Sequence, residues 1–364
     1  MLIQTSVSQN KYLKHVFYVQ SGIAYQVALN IISYYGLTPD QCIFLFGRSF
    51  MPDNKYAFLN LDTSSYVINA SVYFWQSWPK TNHVVKKTYE FLNTQVKTNF
   101  YFYTSGLSHL FLRLLQKSRK CIKCCFIEEG ISAYLTKRER YAFMFRNYIY
   151  SIPMQIFVIK KFLSCRMLYF HHPVRDILNL KDFDLIIGIS ESSFRGFRNR
   201  LILKNVKLPA NNSYRHMKHL LAISFLIESK LINHTNYFRG LELFLNQLSD
   251  KLKGETLYYK LHPAHYTNPL FEYRYKDFLK KFEEKIDLQE ISSDSIPEVI
   301  LYNSKGTLYT DISSIAIYSK IFGYSVDSFS KHILKIDPKY INVLKQLPKE
   351  LKDTLNEKEF FIPY

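Results

Sequence analysis

The sequence predicts an α/β protein of two Rossmann-like domains facing a central cleft. Three observations predict it. Short apolar runs alternate with segments of helical period, and the runs end in loops bearing Ser, Gly or acidic residues. Such alternation implies parallel strands joined by crossover helices. The pattern occurs in two series separated by a basic stretch, and 364 residues suit two domains at about 150 residues each.

In the first series, residues 15–19 form an apolar run and read as a strand, and Gln20, Ser21 and Gly22 as a turn. Residues 25–35 place Val27, Ala28, Ile31 and Ile32 on one helical face, and Gly36 closes that helix. Strands are then expected at 42–46, 70–75 and 99–103, a helix over about 107–116, and strands at 124–127 and 184–189. The stretch 194–210 holds Arg195, Arg198, Arg200, Lys204, Lys207 and Pro209 and reads as the join.

The second series predicts strands at 219–225, 256–261, 286–288 and 307–309. Helices are expected at 237–252 and 268–285, from 297 onward, and at 314–321. The division is therefore 1–195 for the first domain, 210–345 for the second and 346–364 for a tail. Ligands of such sheets sit beyond the carboxyl ends of the strands.

Hydrophobic residues at 47% and charged residues at 21% exclude a disordered chain. The balance of 48 Lys+Arg against 30 Asp+Glu leaves +18, which calls for an anionic partner: a membrane surface, nucleic acid, or a phosphorylated or acidic substrate. With 29 Tyr and 29 Phe, many rings must be buried or lie at an interface. No run approaches about 18 apolar residues, so no transmembrane helix is expected, and the N-terminus lacks the order of a signal peptide. Five cysteines make a poor disulfide framework and point to a reducing, cytoplasmic setting. Cys121, Cys124 and Cys125 carry a C-x-x-C spacing, but no second ligand pair sits at zinc-site spacing. They lead into Phe126 and Ile127 and read as core thiols.

Three motifs fall at strand ends. Glu128-Glu129-Gly130 follows the strand 124–127. Two adjacent carboxylates repel, which can suit one of them to general-base work, and Gly130 allows a sharp turn. Read alone, it is an acidic loop with a glycine turn. His262-Pro263 follows the strand 256–261, with Lys260 just before it. An imidazole stiffened by proline can bond a phosphate or protonate a leaving group; read alone, it is a loop histidine. His172-Pro173 is a decoy in the first series. Ser313-Ser314 opens a helix, where small hydroxyls and backbone N–H groups make an anion site or simply an N-cap.

The order of these motifs resembles that of the bacterial sialyltransferases and polysialyltransferases, which carry D/E-D/E-G, HP and S-S/T motifs. The local contexts are similar too: Phe126-Ile127-Glu128-Glu129-Gly130 with Tyr134 beyond, Tyr259-Lys260-Leu261-His262-Pro263, and Asp311-Ile312-Ser313-Ser314. The resemblance spans roughly 16–314. It is nearest to the capsule polysialyltransferases, with the lipooligosaccharide sialyltransferases second. Where the latter carry a Thr-Pro-x-Gln loop after the first strand, this chain has Ser21, Gly22 and then Gln26.

The resemblance implies a GT-B fold and an inverting transfer of sialic acid from CMP-sialic acid to a hydroxyl of a cell-surface glycan, capsule or lipooligosaccharide. Glu128 or Glu129 would be the base, with Glu129 favoured. His262 would protonate or charge-stabilise the departing phosphate oxygen, and Ser313 and Ser314 would hold that phosphate. Glu298, behind Pro297 at a helix start, is a candidate for the ribose, or equally a charge favoured by the helix dipole. Ser21, Gly22 and Gly130 would line the acceptor side. No cofactor or metal is implied, because one phosphate offers no diphosphate for a divalent ion to clamp. Asp182-Phe183-Asp184 spells D-x-D, but Asp184 runs into an apolar strand and reads as its cap.

The basic balance would attract anionic donor and acceptor, or the anionic inner membrane. Residues 140–162 mix Arg140, Arg146, Lys160 and Lys161 with aromatic side chains and read either as an interfacial surface or as a basic helix on its own domain. Other readings are a transferase for another CMP-activated nonulosonic acid, and a non-catalytic protein that binds a polyanion or membrane. No nucleic-acid-binding motif is present, so nucleic acid is not an expected partner. The oligomeric state is not legible.

Overall fold

A computed structural model of the protein describes residues 13–47, 50, 59–63, 74–107, 109–135, 183–266 and 268–355, with the side chains of 74–81 left aside. The chain divides into two compact units, Met1–Lys207 and Leu208–Tyr364. Each is α/β and carries one wholly parallel sheet.

The strands of the first unit are β1 (Lys14–Val19), β2 (Cys42–Phe46), β3 (Leu59–Asp62), β4 (Phe100–Thr104), β5 (Cys121–Ile127), β6 (Leu185–Gly188) and β7 (Arg200–Ile202). Their order is β3-β2-β1-β4-β5-β6-β7, the doubly wound pattern that reverses between β1 and β4. A parallel strand covered on both faces needs apolar side chains at successive positions. Val16, Phe17, Tyr18 and Val19 meet that need, none more than 1% exposed. Phe17 stacks on Phe44 of β2 and on Tyr103 of β4, so truncating it to Ala would cost about 3–5 kcal/mol. Helix α1 (Gly22–Tyr35) follows β1, buries Val27, Ala28, Ile31 and Ile32 as predicted, and ends at Gly36 in the left-handed region.

One predicted strand is corrected. Residues 74 and 75 open helix α2 (Phe74–Phe91) instead of closing a strand at 70–75; positions 70–73 lie outside the described residues. The ring-rich Tyr73-Phe74-Trp75 favours a strand locally, yet Val84, Val85, Thr88, Phe91 and Leu92 form a buried stripe of helical period, which wins. Helix α3 (Leu110–Lys117) joins β4 to β5. The decoy His172-Pro173, the basic segment 140–162 and Asp182 lie outside the described residues. Asp184 lies directly before β6, and its Oδ2 accepts from the Cys124 N–H of the neighbouring β5 at 2.8 Å. Cys121, Cys124 and Cys125 are buried free thiols.

The second unit carries β8 (His219–Ala222), β9 (Leu257–Lys260), β10 (Leu288–Glu290), β11 (Thr307–Thr310) and β12 (Ser325–Ser328), in the order β10-β9-β8-β11-β12. This repeats the first pattern, with its reversal between β8 and β11. Helices α4 (His234–Leu252), α5 (Pro269–Lys280), α6 (Pro297–Ser304), α7 (Ser314–Ile317) and α8 (Ser330–Ile336) connect or cover it. The boundary at 207/208 falls inside the stretch read as the join, and β7 within that stretch extends the first sheet. Residues 349–354, read as tail, are helical, and Leu351 among them is buried. Among the described residues, no helix is long and apolar enough to cross a membrane.

Candidate active site

In the first unit the acidic pair leaves β5 next to β6. The Glu128 N–H donates to the Ile187 carbonyl at 2.9 Å, continuing the ladder one residue past the strand. Alternation then sends the two side chains different ways. Glu128 is fully buried. Its Oε1 accepts from the Tyr134 hydroxyl at 2.6 Å, and its Oε2 accepts from the Ser193 hydroxyl at 2.6 Å and the Ile189 N–H at 2.8 Å. Gly188 makes this possible, since a Cβ there would stand 2.6 Å from Ser193 Cβ and 3.2 Å from Glu128 Oε2.

Glu129 is partly exposed, and Gln20 Nε2 donates to its Oε2 at 2.8 Å. Gln20 sits directly after β1, so the contact reaches across the end of β4, beside the reversal of strand order. Gly130 has φ +63°, a left-handed conformation that favours glycine, and it turns the chain into the short helix Gly130–Tyr134. Ser21 is the N-cap of α1, its Oγ accepting from the Ala24 N–H at 3.4 Å, and Gly22 is the first helical residue. Ser21, Gly22, Glu129 and Gly130 thus lie along the carboxyl edge of the first sheet, where Gln20 touches Glu129.

In the second unit, β8 lies between β9 and β11, so the chain leaves β9 at His262 and β11 at Ser313 on one carboxyl edge. His262 is exposed and packs against Phe225, ring centroids 5.2 Å apart. Its Nδ1 accepts from the Ala264 N–H at 3.2 Å, which leaves Nε2 to carry the proton of the neutral ring. Ser313 caps α7, its Oγ accepting from the Ile315 N–H at 3.3 Å, and Ser314 opens the helix; both are partly exposed. Beneath them lies Asp311, fully buried, which accepts from the Ser224 hydroxyl at 2.5 Å, the Tyr237 hydroxyl at 2.9 Å and the Ile312 N–H at 2.6 Å. Burial pushes its carboxyl up to about 6 against the pull of those donors.

Lys260 and Glu298 are both buried, and each feels the other's charge. The Lys260 ammonium donates to the carbonyls of Ser293 at 2.6 Å and of Ser295, pinning the loop that leads into α6. Burial lowers it to about 8, opposed by Glu298 and Asp294. Glu298, in the first turn of α6, is 5% exposed, and burial raises it to about 6 while its own backbone N–H and Lys260 pull the other way. The sequence reading missed Gln20, Ser193, Ser224 and Tyr237. Among the described residues, no group of three or more His, Cys, Asp and Glu side chains could hold a metal ion.

No protein-family model matches the chain. No curated protein matches it either. Among solved structures it is similar to a UDP-GlcNAc 2-epimerase of Methanocaldococcus jannaschii, at 12% identity and TM-score 0.43 over 94% of this chain and 92% of that one. It is similar to the wall teichoic acid polymerase TagF, at 12% identity and TM-score 0.46 over 96% of this chain and 82% of that one. A third similarity is to an alpha,alpha-trehalose-phosphate synthase of Burkholderia vietnamiensis, at 9% identity and TM-score 0.41 over 95% of each chain.

Proposed function

We propose that the chain is an inverting glycosyltransferase of GT-B type that moves sialic acid from CMP-sialic acid to a hydroxyl of a cell-surface glycan. One observation carries the reading: of two adjacent carboxylates at a strand end, one is spent on three internal donors and the other is partly exposed and aimed by a single amide. The motif order noted in the sequence supplies the donor class.

Glu129 takes the proton of the acceptor hydroxyl as that oxygen bonds the anomeric carbon. The bond from that carbon to the phosphate oxygen breaks on the opposite face, and CMP leaves with the electron pair. With Nδ1 accepting a backbone N–H, neutral His262 offers Nε2–H to the departing oxygen as a hydrogen bond and does not transfer the proton. Ser313 and Ser314 add hydroxyl and backbone donors, and Glu298 receives ribose hydroxyls. Glu128 has a structural part, holding the 189–193 turn against β5. The base is assigned to the first unit and the donor site to the second.

The test is an assay of donor hydrolysis and transfer with CMP-sialic acid and a small panel of glycan acceptors. Transfer to at least one acceptor is expected. Binding of CMP without hydrolysis or transfer would leave a binding protein, and turnover only with another CMP-activated nonulosonic acid would change the donor.

A further inference from the structure

A polar cluster lies buried beneath the His262 turn. His265 is fully buried, and its Nε2 stands 3.2 Å from Glu228 Oε2, out of line for a well-formed hydrogen bond. The Glu228 side chain is itself only 2% exposed. The Tyr275 hydroxyl donates to Glu228 Oε2 at 3.4 Å, and its ring stacks on His265 at 4.4 Å. Apolar side chains would fill such a space at less cost, so a buried polar set is informative where it specifies one local geometry.

The geometry it specifies is that of the turn. The His265 N–H donates to the His262 carbonyl at 2.8 Å. Phe225, three residues before Glu228, packs on both imidazoles, with centroids 5.2 Å from His262 and 5.4 Å from His265. The Leu261 N–H donates to the Tyr266 hydroxyl at 3.3 Å, and that hydroxyl donates to Glu290 at 3.1 Å, tying down the far end of the turn. The Ala264 N–H that engages His262 Nδ1 belongs to this same short piece of chain. Its aim therefore depends on where His265 is held.

We propose that His265 and Glu228 are positioning residues that clamp the turn 262–266 against the 223–228 loop, so that the Ala264 N–H holds His262 as its Nε2–H tautomer. The clamp is a property of the fold; its value to catalysis rests on the role given to His262 above. It explains how an exposed imidazole keeps one ring nitrogen presented as a donor to an anionic oxygen.

Long-range proton–nitrogen NMR of the histidine rings in the full chain tests this, with His262 assigned by its loss in His262→Gln. In the wild type, His262 should show a protonated Nε2 and an unprotonated Nδ1. Glu228→Gln keeps an acceptor toward His265 and Tyr275 and should preserve that state. In the double variant His265→Phe with Glu228→Leu, which replaces the polar pair by apolar groups, both tautomers should appear and kcat should fall about 10-fold, the loss of one oriented hydrogen bond. A wild-type Nδ1–H tautomer overturns the clamp without any variant, and so does a folded double variant that keeps the single Nε2–H form. If the tautomer is lost but transfer is unchanged, the clamp stands and the role of His262 in transfer fails.

Discussion

Gln20 Nε2 donates to Glu129 Oε2 at 2.8 Å, joining the loop after β1 to the loop after β5. The Tyr18 hydroxyl in turn donates to Gln20 Oε1 at 3.4 Å, so the amide is oriented from behind. A hydrogen bond to a charged group contributes about 1.5–3 kcal/mol. Gln20→Ala should therefore leave the fold intact and lower kcat by roughly 10-fold or more. Steady-state kinetics beside a thermal melt measure it, and unchanged kcat would remove Gln20 from the site.

Glu129→Gln should retain CMP binding and the wild-type melting temperature but lose transfer by at least about 100-fold, the usual contribution of a general base. Glu128→Gln should behave differently. Its amide N–H group would face donors from Ser193 and Ile189, or from Tyr134. A loss on the order of 2–3 kcal/mol of stability is expected. If Glu128→Gln melts like the wild type and is inactive while Glu129→Gln turns over normally, the base is Glu128.

Burial raises Glu298 from an ordinary 4.5 to about 6. The folded state then binds its proton more tightly than the unfolded state does. Stability from this group is fully present below about 4.5, falls as pH rises to about 6, and stays lower above that. The shift corresponds to roughly 2 kcal/mol. Chemical denaturation of wild type and Glu298→Gln at pH 4.5 and 6.5 should show a smaller decline in the variant. Equal declines would mean that Glu298 does not titrate in this window.

His262→Ala should weaken CMP binding about 10-fold in calorimetry as well as slow transfer, because charge-assisted bonds to phosphate are strong. His172→Ala should change mainly stability or acceptor handling. Full CMP affinity and activity in His262→Ala, with both lost in His172→Ala, would overturn the assignment.

Transfer should survive excess EDTA, since the phosphate contacts are assigned to His262, Ser313 and Ser314. Loss on chelation with recovery in magnesium or manganese would return Asp182 and Asp184 to consideration.

The central strands were legible because their residues are apolar at successive positions; β1 and β2 read plainly for that reason. The edge strands β3, β7 and β12 were not read, because half-exposed residues such as Asn60, Leu201 and Val326 carry no such run. At the site, the acidic pair, His262 and Ser313 were legible as local motifs at strand ends. Their partners were not, since Ser193 lies 65 residues from Glu128 and Gln20 lies 109 from Glu129. Only the sheet order brings such positions together. Nothing local distinguishes Glu128 from Glu129 either; the small Gly188 opposite does.

The sheet order also bears on synthesis. Among the described strands of its sheet, β1 comes first in the chain, yet it lies between β2 and β4. A nascent chain can pair β1 with β2 early, but the other edge of β1 stays open until Thr104 has left the ribosome. Through that interval an apolar strand edge is exposed to chaperones and to other chains. An N-terminal truncation reaching past Val19 likewise removes the middle of the sheet, leaving β2 and β3 with no backbone bond to β4.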